Sequence, residues 1–87
     1  MPEDKDAYNA AIAMVLKLRR SELSMTLAEV AAASDITAQS VQRFLAGERA
    51  IHMGNFIALA HALQIDPAAV MEQAYERIEK SRSKLTS

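Results

Sequence analysis

Residues 23–47 read Leu23-Ser-Met-Thr-Leu-Ala-Glu-Val-Ala-Ala-Ala-Ser-Asp-Ile-Thr-Ala-Gln-Ser-Val-Gln-Arg-Phe-Leu-Ala-Gly47, and this stretch decides the architecture. Thr26 and Glu29 have the spacing of a capping box, in which the hydroxyl and the carboxylate each take a backbone N–H at a helix start. A helix therefore begins at Thr26. Leu27, Val30 and Ala31 share one face of it, at the i, i+3, i+4 spacing of a buried stripe. Ser34-Asp35 breaks that pattern, and aspartate is among the non-glycine residues that tolerate positive φ in a tight turn. Ile36 is an apolar plug. Thr37 is a second N-cap. The next helix buries Val41, Phe44 and Leu45, which leaves Ala38, Gln39, Gln42, Arg43 and Ala46 facing outward and Ser40 near the edge. Gly47 ends it, because glycine accepts the left-handed conformation of a helix stop. Ala31 is small enough to sit where two steeply crossed helices meet.

The flanking sequence extends this pair of helices into a compact all-α unit. Before it, Ile12, Leu16, Arg19 or Arg20, and Leu23 fall along one side of a helix running from about Lys5 or Tyr8 to Ser21. Asp4 or Asp6 suits the positive end of that helix, and Lys17, Arg19 and Arg20 suit its negative end. After the pair, Phe56, Leu59, Ala60 and Leu63 make an apolar stripe on a helix from about Met53 to Leu63. Asp66-Pro67 marks another start, with aspartate as N-cap and proline at the first helical position. That last helix continues to about Lys80. Val70 and Met71 are expected to pack on the domain, and Ala74, Tyr75 and Ile78 prolong the apolar line. Glu76 and Lys80 form an i, i+4 pair in the favourable order, which contributes only tenths of a kcal/mol, so the helix needs a packing partner. Two partners are open: the long first helix, or a second copy of the chain.

Composition narrows the class. The chain has 87 residues and 51% hydrophobic content, enough for one modest core. Two glycines and two prolines leave little turn material for a β fold. The absence of cysteine excludes disulfides and thiolate metal sites. No apolar run has the length of a membrane span, and the acidic start does not read as a secretory leader. Residues 1–7 read as a polar N-terminal segment, 8–80 as a single domain with its motif at 26–46, and 81–87 as a flexible basic tail.

The ordered set Leu16, Arg20, Val30-Ala31, Ile36-Thr37, Gln39-Ser40-Val41, Gly47 and Phe56-Ile-Ala-Leu-Ala-His-Ala-Leu63-Gln-Ile65 resembles the lambda-repressor-like (Cro and phage-repressor) helix-turn-helix family. The likeness spans residues 12–71, about two-thirds of the chain. It implies a five-helix DNA-binding fold, here with an extended C-terminal helix. Three positions depart from the pattern. Leu27 stands where the family often has a phosphate-gripping glutamine. Leu45 stands where it often has a glutamate paired to an arginine matching Arg20, which leaves Arg20 to pair with Glu48 or face a phosphate. Asp35 replaces the turn glycine.

The resemblance implies a sequence-specific regulator of transcription, a repressor, bound as a homodimer to an inverted repeat in double-stranded DNA. Helix 37–46 would enter the major groove. Gln39 can pair with adenine, Arg43 can read guanine or hold a phosphate, and the Ala38 methyl can meet a thymine methyl; Gln42 lies to one side. Thr26, Thr37, Ser40, Arg20, Arg49 and His52 are phosphate candidates. Ala74, Tyr75 and Ile78 are the candidate dimer surface. The alternative is an antitoxin-type interaction module of the same fold, with a toxin as protein partner and DNA binding secondary or lost. A net charge of −1 argues against a strong non-specific binder. No nucleophile–base pairing, glycine-rich phosphate loop or metal-spaced cluster points to an enzyme, and no metal or cofactor is implied. A bacterial or phage-encoded cytoplasmic protein is the expected setting.

Overall fold

The computed structural model describes the backbone of residues 2–86 and the side chains of residues 6–83. Five helices follow in order: α1 (Pro2–Leu23), α2 (Leu27–Ser34), α3 (Ala38–Leu45), α4 (Met53–Ala62) and α5 (Pro67–Thr86). The segment 1–7 is thus helical from Pro2 onward, and α5 runs six residues past the expected stop at Lys80. Nothing between Lys80 and Thr86 breaks a helix, and Arg82 meets Glu79 at 3.5 Å, one turn back. The side chains of Asp4 and of residues 84–87 lie outside the described residues.

One core joins the five helices. Leu16, Val30, Val41, Leu59, Leu63 and Val70 are fully enclosed, with Val15, Phe44, Leu45 and Phe56 around them. All but Val15 are apolar positions expected on their helices; on α1 Val15 joins Leu16 in the core while Ile12 and Leu23 are half-buried. Leu27, Ala31 and Ile36 are half-buried against the same cluster.

Four helix ends share one closure. Ser24, Asp35, Gly47 and Gln64 all have φ between 54° and 78°. At each, the next residue's N–H reaches back to a carbonyl one turn earlier: Met25 to Arg20, Ile36 to Ala31, Glu48 to Arg43 and Ile65 to Ala60, at 3.0–3.3 Å. This is the left-handed Schellman stop. The turn between α2 and α3 therefore forms with aspartate in the left-handed region.

The terminal helices hold each other. α5 packs chiefly on α1. Arg19, late in α1, donates from Nε to the Leu63 carbonyl and from a terminal nitrogen to the Gln64 carbonyl, both at 3.0 Å, just before α5 begins. The chain then runs back along α1. Of the two candidate partners for α5, the first helix of the same chain is the one in place. Val70 and Ala74 point into this contact region and are buried, Ala74 at 1% exposure. Two expectations are corrected here. Ala74 belongs to the protomer core and is closed to a second copy. Met71, expected to pack inward, is 48% exposed. One residue on from Val70 turns a helix by about 100°, so the inward stripe at 70 and 74 carries 71 and 75 outward. Glu76 and Lys80 do not meet.

Candidate nucleic-acid interface

α3 is fixed at both ends. Thr37 has extended backbone (φ −62°, ψ 149°) and its Oγ1 accepts the Ser40 N–H at 3.2 Å. Gly47, at φ 78°, closes the other end. Between the caps, Val41, Phe44 and Leu45 enter the core. The opposite face is thereby set: Ala38, Gln39, Gln42, Arg43 and Ala46 are all exposed, and Ser40 is half-buried at the edge. Gln39 and Arg43 stand one turn apart on that face. Among the described residues their side chains make no hydrogen bond or ion pair, so a row of amide, guanidinium and methyl groups faces solvent.

α2 begins as the spacing predicts. Thr26 Oγ1 accepts the Glu29 N–H at 3.1 Å, and Glu29 accepts the Thr26 N–H at 2.8 Å. The bond from the Thr26 N–H, backed by one from its side chain, holds the Glu29 carboxyl below its ordinary range. The Thr37 hydroxyl accepts through oxygen and keeps its own proton to donate, whereas the Thr26 hydroxyl proton is turned to the Glu29 carboxylate.

The remaining candidates divide. Arg49 is exposed on the loop after α3, and its side chain has no partner among the described residues. His52 occupies the N-cap position of α4 but makes no side-chain cap; its Nε2 meets the Asn55 amide at 3.0 Å. Arg20 does not pair with Glu48. It is half-buried, and a terminal nitrogen donates to the Met25 carbonyl at 2.8 Å, tying down the link between α1 and α2. Its Nε is buried without a partner. Arg19, grouped with Lys17 and Arg20 as a cation cluster, is engaged with carbonyls and with Glu22 at 3.4 Å. Lys17 alone of the three is fully exposed.

The two leucine departures prove to be one feature. Leu27 and Leu45 line the same cleft of about 220 Å³, together with Lys17, Arg20, Gln42 and Ala46. Leu27 turns into this cleft and the core behind it, where a glutamine would reach outward. Leu45 and Arg20 border this cleft together, and the Arg20 guanidinium bonds the Met25 carbonyl rather than an acid.

A helix-turn-helix family model of the Cro/C1 type matches residues 15–70. The chain belongs to the lambda-repressor-like helix-turn-helix family. That family is DNA-binding and regulatory rather than enzymatic. Searches of curated proteins and of solved structures each found no significant match. In this helix-turn-helix domain α2 and α3 are the motif, and α1 before Val15 and α5 after Val70 lie outside the matched residues. Among the described residues no helix is long and apolar enough to cross a membrane, and no cluster of three His, Cys, Asp or Glu is placed to hold a metal.

One residue that contacts the interface loop escaped the sequence reading. Asn9, on α1, donates from Nδ2 to the Arg49 carbonyl at 3.1 Å and accepts the Ile51 N–H on Oδ1 at 2.9 Å. The separation is 40 and 42 residues, so no local pattern could show it.

Proposed function

We propose that this domain is a sequence-specific double-stranded DNA-binding repressor that acts as a homodimer, with α3 of each copy in the major groove of an inverted-repeat operator. The observation that carries the reading is the outward face of α3. Ala38, Gln39, Gln42 and Arg43 are exposed and unpartnered, on a short helix whose other face is core and whose ends are both capped. Such a helix presents its polar row in one orientation, which is what reading base edges requires. Gln39 pairs with adenine and Arg43 with guanine; each pairing contributes about 1–3 kcal/mol of discrimination. Thr26, Thr37, Ser40, Lys17 and Arg49 surround this row and supply phosphate contacts, with the α3 N-terminus adding partial positive charge. Arg20 keeps one terminal nitrogen on Met25 and is the weaker donor. His52 meets Asn55 and is also secondary.

The dimer surface we assign to Tyr75 and Met71, one turn apart on the outer flank of α5 and 54% and 48% exposed, with Ile78 half-buried beside them. Repression follows sterically from occupancy of the operator. The setting is a cytoplasm where DNA is accessible.

The test is selection of random duplexes on the purified protein, followed by sequencing. An inverted repeat with half-sites about one helical turn apart is expected, and Gln39→Ala and Arg43→Ala should each relax preference at one position of the half-site. If no motif emerges even at low salt, the reading fails. A stable complex with a second, different protein through Met71 and Tyr75, with no operator selected, would favour the antitoxin-type module instead.

A further inference from the structure

The loop from Gly47 to His52 joins α3 to α4 and carries Arg49. Its backbone has few internal ties. The closure of α3 ends with the Glu48 N–H on Arg43, and α4 begins with the His52 carbonyl accepting from Phe56. Between them, among the described residues, the backbone of 49–51 is bonded only by Asn9. One amide side chain takes the Arg49 carbonyl and gives its oxygen to the Ile51 N–H, so it brackets Ala50 with a donor and an acceptor two residues apart. A neighbouring β-strand would bracket a residue in the same way. The Ile51 side chain, half-buried against the core, is the other anchor. The Arg49 side chain itself is exposed. Asn9 lies before the residues matched by the family model.

We propose that Asn9 is a positioning residue for DNA binding: it holds residues 49–51 so that Arg49 meets a backbone phosphate without further ordering. The proposal rests on the DNA-binding reading above. Asn9 does not touch the DNA. Its removal keeps the Arg49 side chain but lets the loop wander, so the phosphate contact is either re-ordered at a cost or left unmade in part of the complexes. Ordering about one backbone residue corresponds to roughly 5- to 30-fold in affinity.

The experiment compares wild type, Asn9→Ala, Arg49→Ala and the double variant on the selected duplex across a salt series, well below each melting temperature. In parallel, hydrogen exchange of the Ile51 amide is followed in the free protein. Asn9→Ala should weaken binding by roughly 5- to 30-fold. It should also lower the slope of log affinity against log salt by up to about 0.9, as loss of one phosphate contact does. In the Arg49→Ala background it should add nothing, and the Ile51 amide should exchange faster without Asn9. Wild-type affinity in Asn9→Ala, or a loss that multiplies with Arg49→Ala at unchanged salt slope, overturns the proposal. Asn9→Gln, which keeps an amide but sets it one methylene further out, gives the same comparison if Asn9→Ala does not fold. If the wild type binds no duplex, the DNA reading falls by itself. The exchange measurement still decides the clasp: unchanged Ile51 exchange refutes it, and faster exchange supports it.

Discussion

Gly47→Ala isolates the energy of a left-handed helix stop. Gly47 has φ 78°, and a Cβ built there meets no atom within 4 Å. Steric crowding is therefore absent, and the substitution changes only backbone preference. Holding an L-residue in the left-handed region costs about 1–2 kcal/mol. Removing a glycine from the unfolded chain returns about 0.4–1 kcal/mol. The net is a destabilisation of up to about 1.6 kcal/mol, and about 0.8 kcal/mol at mid-range, or a fall in melting temperature of roughly 3–6 °C at mid-range for a domain of this size. Gln64→Gly is the mirror experiment. Gln64 has φ 56° in the same closure, its side chain is exposed, and the Arg19 bond goes to its carbonyl, which glycine retains. It should raise stability by a similar amount. Thermal and urea unfolding of both variants, followed by circular dichroism, gives the two signs. If they move stability in the same direction, backbone conformation does not govern these stops and the reasoning is wrong.

The remaining predictions concern charge and assembly. Hydrogen bonds to Thr26 lower the Glu29 carboxyl below its ordinary 4.5, so its contribution is present in full above that pH and is lost as pH falls through the folded value. The stability gap between wild type and Glu29→Gln should accordingly be widest near neutrality and close on acidification; a gap independent of pH would refute it. Leu45→Glu should be tolerated beside Arg20 but should cost about 3–5 kcal/mol more in an Arg20→Met background, where the buried acid has no partner. Additive effects in that double-mutant cycle would separate the two residues. Tyr75→Glu, at an exposed site, should change protomer stability by no more than about 0.5 kcal/mol while sedimentation shifts from dimer to monomer. An unchanged dimer would move the two-fold contact elsewhere.

The parts of the fold visible in the sequence are those set by neighbours a few residues apart. Thr26 with Glu29, Thr37 with Ser40, and Asp66, whose Oδ1 accepts the Ala68 N–H at 2.9 Å, are caps that a window of four residues contains. The stripe of α3 is equally local, and so is its outward row. The roles of Arg19, Arg20 and Asn9 were hidden because their partners are carbonyls and amides, which every residue has and no residue type announces. Arg19 reaches carbonyls 44 and 45 residues away. The rotation of α5 was hidden for a different reason. Val70, Met71, Ala74 and Tyr75 are all apolar, so the pattern allows two inward faces, and only the approach of α1 selects the one carrying small Ala74. The length of α5 was hidden because the polar residues 80–84 carry no apolar stripe to extend the reading.

The double closure of α3 has a consequence for its angular phase. With Thr37 fixed at one end and Gly47 at the other, the eight helical residues Ala38–Leu45 are held against sliding and unwinding. Each residue advances the helix by about 100°. One extra residue inserted between Gln39 and Val41 would leave Phe44 and Leu45 in the core but swing Gln39 off the line it shares with Arg43. The two side chains are thus phased against each other by the helix and against the core by its stops. On the proposed DNA-binding reading, changes to sequence preference are confined to exchanging side chains at fixed positions, because the frame that carries them holds one setting.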